Sequence, residues 1–173
     1  MKARRLILTI LALSFSVEAS DWTPPAPLLD AICQIESSNG RFLYGDGGRS
    51  LGHFQISRPA WKDVNAWRKA RALKTYAYSD HVMNGFVNRE YASNYISLLH
   101  AQLQGRLNRE PTGPELYAAY NIGVVGFAQS NFDLSRINAT TRRKCQQIAA
   151  ILSIPSPNPM ASLPPVPAPK KSS

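Results

Sequence analysis

The chain has 173 residues, a formal net charge of +9 and 44% apolar residues. That length suits one domain with a substantial core and gives no clear room for a second. The apolar content excludes a wholly disordered chain, and seven of the thirteen prolines crowd into the stretch 155–169.

The N-terminus reads as a targeting signal. Lys2, Arg4 and Arg5 make a basic start, and Leu6 to Val17 is apolar apart from Thr9, Ser14 and Ser16. Val17 and Ala19 place small residues where cleavage after Ala19 needs them. The apolar run is too short to span a bilayer comfortably, and no stop-transfer pattern follows. A secretory signal over residues 1–19 is therefore expected, with an uncleaved anchor as the alternative. The protein would be periplasmic or secreted, with no membrane span after cleavage. Cleavage removes three basic residues and one acidic residue and leaves +7. An exported basic protein suits anionic polymers such as cell-wall glycans, teichoic acids, lipid headgroups or nucleic acid. Scattered basic residues argue against nucleic acid.

Residues 20–154 form the expected domain. Asp21 to Pro27 is an extended lead-in, followed by a helix from about Ala26 to Ser38. Leu28, Ile32 and Ile35 share one face of it, and Leu29, Cys33 and Glu36 share the adjoining row. Glu36 thus stands at the edge of an apolar stripe, where poor hydration favours its protonated form. A carboxylic acid that stays protonated can act as a general acid. Ser37, Ser38, Asn39 and Gly40 then stop the helix. A Gly-rich loop, Gly45 to Gly48, and a short apolar run, Phe54 to Ile56, follow.

Ser57 caps the next helix, with Pro59 in its first turn and Ala60, Trp61, Val64, Trp67 and Ala70 facing inward. Ala72 to Tyr78 gives no clear signal. The longest helix is expected from Ser79 or Asp80 to about Asn108, burying Val82, Phe86, Tyr91, Ile96, Leu99, Leu103 and Leu107. A short helix spans Pro114 to Ile122, broken by Gly123 and Gly126. Asn131 to Ile137 is loop-like, and Thr140 or Thr141 caps a last helix to about Ile154. Residues 155–173 are a Pro-rich tail without enough apolar surface to order itself.

These elements predict a mainly α fold of four to six helices, with a small β ribbon or irregular loop beside the helix that carries Glu36. Cys33 and Cys145 are an even pair in an exported chain, which suggests one disulfide tying the first helix to the last. Two separate buried thiols are the alternative.

Four features line up in order: Glu36-Ser37, the Gly-rich loop, Gly52-His53-Phe54-Gln55 and Ala119-Tyr120-Asn121-Ile122-Gly123. Together they resemble the soluble lytic transglycosylase family of the lysozyme superfamily, which shows E-S, a loop, G-L-M-Q and A-Y-N-x-G. The resemblance covers roughly Pro27 to Phe132. It implies a lysozyme-like helical domain that cleaves the MurNAc-GlcNAc β-1,4 bond of peptidoglycan glycan strands. Glu36 matches the family's catalytic acid and base. The sugar's own C6 hydroxyl attacks, giving 1,6-anhydromuramic ends. Tyr120 matches the tyrosine whose hydroxyl holds the acid. Gln55 matches a glutamine of the cleft wall, and Phe54 an apolar residue that contacts the sugar. Ser37 belongs to the E-S pair and is expected at the substrate, and Asn121 supports the turn. The resemblance also admits a secretion, conjugation or pilus assembly as partner.

Two departures stand out. His53 replaces an apolar residue, and a structural or solvent-facing role is expected for it. Asp46, nine residues before Gln55, stands where the family usually carries a serine. A second carboxylate is what a hydrolytic lysozyme needs, so Glu36 with Asp46 is the alternative chemistry. A turn role in G-D-G-G competes with that reading of Asp46. A basic glycan-binding protein without turnover is a third reading. His81 and His100 show no metal-ligand spacing, so neither metal nor cofactor is expected.

Overall fold

The computed structural model describes residues 22–153. The expected signal, residues 1–19, and the Pro-rich tail, residues 155–173, lie outside the described residues.

Helix α1 (Ala26–Ser37) starts after Pro25, with Pro27 in its first turn, where a missing N–H leaves no bond unmade. It buries Leu28, Leu29, Ala31, Ile32 and Cys33. It ends where Ser38 and Asn39 turn left-handed, with φ of 52° and 60°. Their N–H groups then close back on the carbonyls of Gln34 and Cys33 at 3.0 and 3.3 Å.

A small antiparallel sheet follows, in the order β1 (Tyr44–Gly45), β2 (Ser50–Leu51), β3 (Ile56–Ser57). Tyr44 pairs with Leu51, and Ser50 with Ser57. One 3-10 turn, Asp46–Gly48, joins β1 to β2. This is the expected ribbon beside the helix that carries Glu36.

Ser57 caps α2 (Arg58–Lys69), as its sequence predicts. The buried stripe of α2 includes Arg68 in place of Ala70, which is exposed. Arg68 tolerates burial because it is paired: Nη1 lies 2.7 Å from Glu90 and 2.5 Å from Asn94 Oδ1.

The expected single helix from Ser79 or Asp80 is divided in two. A short helix, α3 (Tyr78–His81), stops, and α4 (Gly85–Leu107) starts afresh. The Asn84 side chain accepts the Val87 N–H at 3.1 Å, an N-cap that begins the new helix. The break also turns Phe86 outward, where it is 91% exposed, against the expected inward placement. Val82, Tyr91, Ile96, Leu99 and Leu103 are buried as the spacing predicts.

Helix α5 (Gly113–Gln129) opens with a reciprocal cap. Thr112 N–H donates to Glu115 Oε2 at 2.7 Å, and Glu115 N–H donates to Thr112 Oγ1 at 3.4 Å. Arg109 adds an ion pair to Glu115 at 2.6 Å. Instead of ending near Ile122, the helix kinks at Gly123 (φ 74°, ψ 156°) and resumes. Only glycine adopts that φ and ψ without strain. Helix α6 (Ala139–Ser153) is capped by Asn138, whose side chain accepts the Thr141 N–H at 2.9 Å. The expected caps Thr140 and Thr141 lie inside it.

Helix α5 packs against both α4 and α6, α1 lies on α6, and α2 lies on α4. The described region is thus mainly helical, with one three-stranded sheet. Ile32, Phe54, Trp61, Tyr91, Leu103, Tyr117, Phe127 and Ile148 form the centre of the core. Each fully buried side chain of this size contributes about 1.5–3 kcal/mol.

Cys33 and Cys145 are both buried and unbonded, which corrects the expected disulfide. Although α1 and α6 touch, the thiols face different hollows. Cys33 lies beside His53, Phe54 and Arg89, whereas Cys145 lies beside Pro114, Leu134 and Ala149. Among the described residues no helix is long and apolar enough to cross a membrane.

Candidate active site

Glu36 sits in the last turn of α1, and its side chain is 9% exposed. The turn that ends α1 therefore brings the carboxylate to the edge of the core. Two other helices converge on it. Tyr117 of α5 donates its hydroxyl to Glu36 Oε1. Lys144 of α6 places Nζ 3.3 Å from Oε1 and 3.5 Å from Oε2. The surroundings are accordingly not the apolar stripe that the helix pattern predicts. They hold one neutral donor and one cation.

The hydrogen bond expected from Tyr120 to Glu36 is made by Tyr117 instead. Three residues advance a helix by about 4.5 Å, so the two phenols end at different depths. Tyr120 donates its hydroxyl to the Phe54 carbonyl at 2.5 Å. Burial, then the negative charge of Glu36, raises the Tyr117 phenol far above its ordinary range. The same two causes raise Tyr120. Both rings therefore stay protonated at physiological pH, and Tyr117 can only donate to the carboxylate.

The segment Gly52 to Gln55 is braced from all sides. Ser37 Oγ lies 2.6 Å from the His53 carbonyl and 3.1 Å from the Cys33 carbonyl, and it accepts the Gly40 N–H at 2.8 Å. Only 1% of Ser37 is exposed. Ser37 thus ties α1 to this segment, which corrects its expected place at the substrate. Phe54 N–H donates to Asn88 Oδ1 at 2.8 Å, while its carbonyl takes the Tyr120 hydroxyl. The Phe54 ring is 1% exposed in the core, so it does not reach a ligand as expected. Its backbone is the point where α4 and α5 grip the segment.

Gln55 adopts φ 48° and turns its amide into the wall. Nε2 donates to the carbonyls of Gly52 at 2.7 Å and Phe42 at 3.0 Å. That fixes Oε1 toward Gly45, where a Cβ would stand 2.1 Å from it. A Cβ at position 45 would therefore have to displace the Gln55 amide from its two carbonyl partners. Oε1 is buried without a hydrogen-bond partner. Asn121 Oδ1 accepts the Thr141 hydroxyl at 2.7 Å, joining α5 to α6.

Asp46 lies on the 3-10 turn with φ 50° and is exposed. Its Oδ2 accepts the Ser50 hydroxyl at 3.2 Å, and its carbonyl accepts Arg49 Nε–H at 3.0 Å.

These groups frame one open cleft of roughly 280 Å³ lined by Glu36, Asp46, Gln55, Tyr95, Tyr120 and Asn121, with Arg49 at its edge. The structure thus brings Glu36, Asp46, Gln55, Tyr120 and Asn121 to one place and leaves Ser37 and the Phe54 ring behind it. A nearly buried carboxyl group and the carboxylate of an exposed turn line the same cleft. Such an arrangement can exchange a proton with a ligand in the cleft and hold a water or a hydroxyl nearby.

Sequence reasoning missed Tyr117 and Lys144. Tyr117 had a signal: in Tyr117-Ala118-Ala119-Tyr120 both rings fall one turn apart on one helix face. Lys144 had none beyond the run Arg142-Arg143-Lys144.

His53 is half-buried, its ring lies against Gly40 and Gly85, and its Nδ1 has no partner. His100 Nε2 pairs with Glu110 Oε2 at 2.6 Å. Among the described residues no group of three or more His, Cys, Asp or Glu side chains could hold a metal ion.

Comparison with family models, curated proteins and solved structures finds no match to this chain.

Proposed function

We propose that the protein is an exported enzyme on a lysozyme-like fold that cleaves the MurNAc-GlcNAc β-1,4 bond of peptidoglycan, in the manner of a lytic transglycosylase. The observation that carries this reading is Glu36, nearly buried at the cleft, with Oε1 held by the Tyr117 hydroxyl. A fixed rotamer is what a proton donor needs, and a phenol supplies it without adding charge. Glu36 gives its proton to the bridging glycosidic oxygen as the bond from C1 to that oxygen breaks. The carboxylate then takes the proton of the sugar's C6 hydroxyl as the new C1–O6 bond closes the 1,6-anhydro ring. No second carboxylate, metal or cofactor enters this sequence. Gln55, Tyr120 and Asn121 form the wall against which the glycan lies. The expected signal segment puts the enzyme in the periplasm or outside the cell, where this substrate is found. A secretion, conjugation or pilus machine that needs local gaps in the wall is a fitting partner.

Digestion of purified sacculi followed by mass spectrometry of the released muropeptides tests the reading. Anhydro ends are about 18 Da lighter than reducing ends, because hydrolysis adds a water across the bond and ring closure by O6 adds none. Anhydro products support the transglycosylase, and sacculi that are bound but never cut by the wild-type protein favour a glycan-binding protein.

One observation favours a second reading. Asp46 lines the same cleft as Glu36 and keeps its carboxylate exposed. A hydrolase would use it to hold a water or as nucleophile. Products bearing only reducing ends would select that reading.

A further inference from the structure

Lys144 stands in direct contact with Glu36 and is absent from the motif set that led to the cleft. It ends the basic run of α6, yet its neighbours behave differently. Arg142 Nη1 is engaged with the Ser135 carbonyl at 2.9 Å, and Arg143 is exposed. Lys144 follows the buried Thr141 by three residues and precedes the buried Cys145, so it sits at the rim of the face that α6 turns inward. Its side chain is 27% exposed and reaches Glu36, which lies 108 residues earlier.

Other ionisable groups among the described residues lie around this pair. From α5 come the phenols of Tyr117 and Tyr120, both held neutral by burial and by the Glu36 charge. From α6 comes the Cys145 thiol, pushed up to about 11 by burial. From α1 comes the Cys33 thiol, also raised by burial. From α4 comes Tyr95, raised by burial and by Asp63. Asp46 and Arg49 lie on the loop that lines the cleft. Lys144 is the ammonium in contact with the Glu36 carboxylate among the described residues.

The two carboxylate oxygens are unequal. Oε1 accepts Tyr117 and the nearer contact of Lys144, while Oε2 has only the longer contact of Lys144. We propose that Lys144 is a positioning residue for Glu36: with Tyr117 it occupies Oε1, leaves Oε2 to carry the transferable proton, and by its charge favours the carboxylate that remains when that proton departs. This rests on the glycosidase reading above. When the proton leaves Oε2 for the glycosidic oxygen, a carboxylate remains, and the adjacent ammonium stabilises it. Glu36 must be protonated to donate, so activity fails as pH rises. Removing the cation lets the proton persist to higher pH, which moves the high-pH limb of the profile upward.

The test uses the full chain as wild type, Lys144→Arg and Lys144→Met, with thermal unfolding to confirm folding and Lys144→Gln as the alternative where Met does not fold. Clearing of purified sacculi is followed from about pH 4 to about pH 9, at saturating and limiting substrate. In Lys144→Met the high-pH limb moves upward, by an amount that screening of a partly exposed pair reduces. Its maximal rate falls about threefold while the half-saturating substrate concentration is unchanged. Lys144→Arg keeps the wild-type limb. Carbon-13 NMR titration of the Glu36 carboxyl, which needs no substrate, is displaced upward in Lys144→Met relative to wild type. Superimposable NMR titrations overturn the inference, whatever the activity. So does a Lys144→Met limb that overlays the wild-type one, or a Lys144→Arg limb that moves with it. A displaced titration in a wild-type chain that never cuts sacculi overturns the glycosidase reading alone.

Discussion

Glu36 and Asp46 line one cleft, but the chain holds them in opposite ways. Glu36 ends a twelve-residue helix, is nearly buried, and takes its partners from two other helices far along the chain. Asp46 sits on a three-residue turn, is exposed, and takes its partners from Arg49 and Ser50 a few residues away. A carboxyl group fixed by tertiary contacts keeps its place when a ligand arrives. One bonded only within its own turn has no such anchor from the rest of the fold. The difference teaches that two carboxylates on one cleft need not form a pair, and that the rigid one is the candidate for proton transfer.

The largest effect is expected on the rigid side. Glu36→Gln keeps the shape but cannot give up a proton, so sacculus clearing falls at least about a hundredfold, while circular dichroism and thermal unfolding show a folded chain. Full activity of that variant would remove the acid from the mechanism. Next comes the wall between the two regions. Gly45→Ala places a Cβ 2.1 Å from Gln55 Oε1, in an amide whose other end is bound to two carbonyls. Unfolding in denaturant is expected to show a loss of about 1–3 kcal/mol. An unchanged midpoint would mean that the Gln55 wall gives way freely.

Tyr117→Phe removes the neutral donor to Glu36 and lowers the clearing rate about tenfold, near 1.4 kcal/mol. Tyr120→Phe removes the bond to the Phe54 carbonyl instead. It is expected to cost about 1 kcal/mol in stability and less in rate. If the two tyrosines exchanged these effects, Tyr120 would be the partner of the acid during turnover. The smallest effect belongs to the loop. On the transglycosylase reading, Asp46→Asn is expected to change clearing by less than about threefold and to give anhydro products still. A hundredfold loss there would turn the exposed carboxylate into a catalytic partner and select hydrolysis.

Much of the site was legible because its signals are local. The stop after Glu36, the Gly-rich turn and the Ser57 cap follow from residues within a few positions of one another. The G-H-F-Q and A-Y-N runs were legible as important segments, but the roles of single residues in them were not. Ser37 and Phe54 serve the cleft through Oγ and through backbone groups, because their neighbours leave them no path to its surface. Asn84 was readable as a cap before Gly85-Phe86-Val87. The apolar spacing of Val82, Phe86 and Tyr91 runs across it and hid the break, although Phe86 leaves that stripe in the structure.

The amino-acid sequence alone determined the mainly helical content, the position of Glu36 at a helix end and the small ribbon that follows it. Each of those depends on propensities and caps acting over one or two turns. Only the tertiary structure decided that Tyr117 and not Tyr120 meets the acid, that Lys144 joins them, and that Cys33 and Cys145 stay apart. Those outcomes depend on the rotation and depth at which α5 and α6 settle against α1. That docking is fixed by the packing of the whole core, which no local window of residues contains.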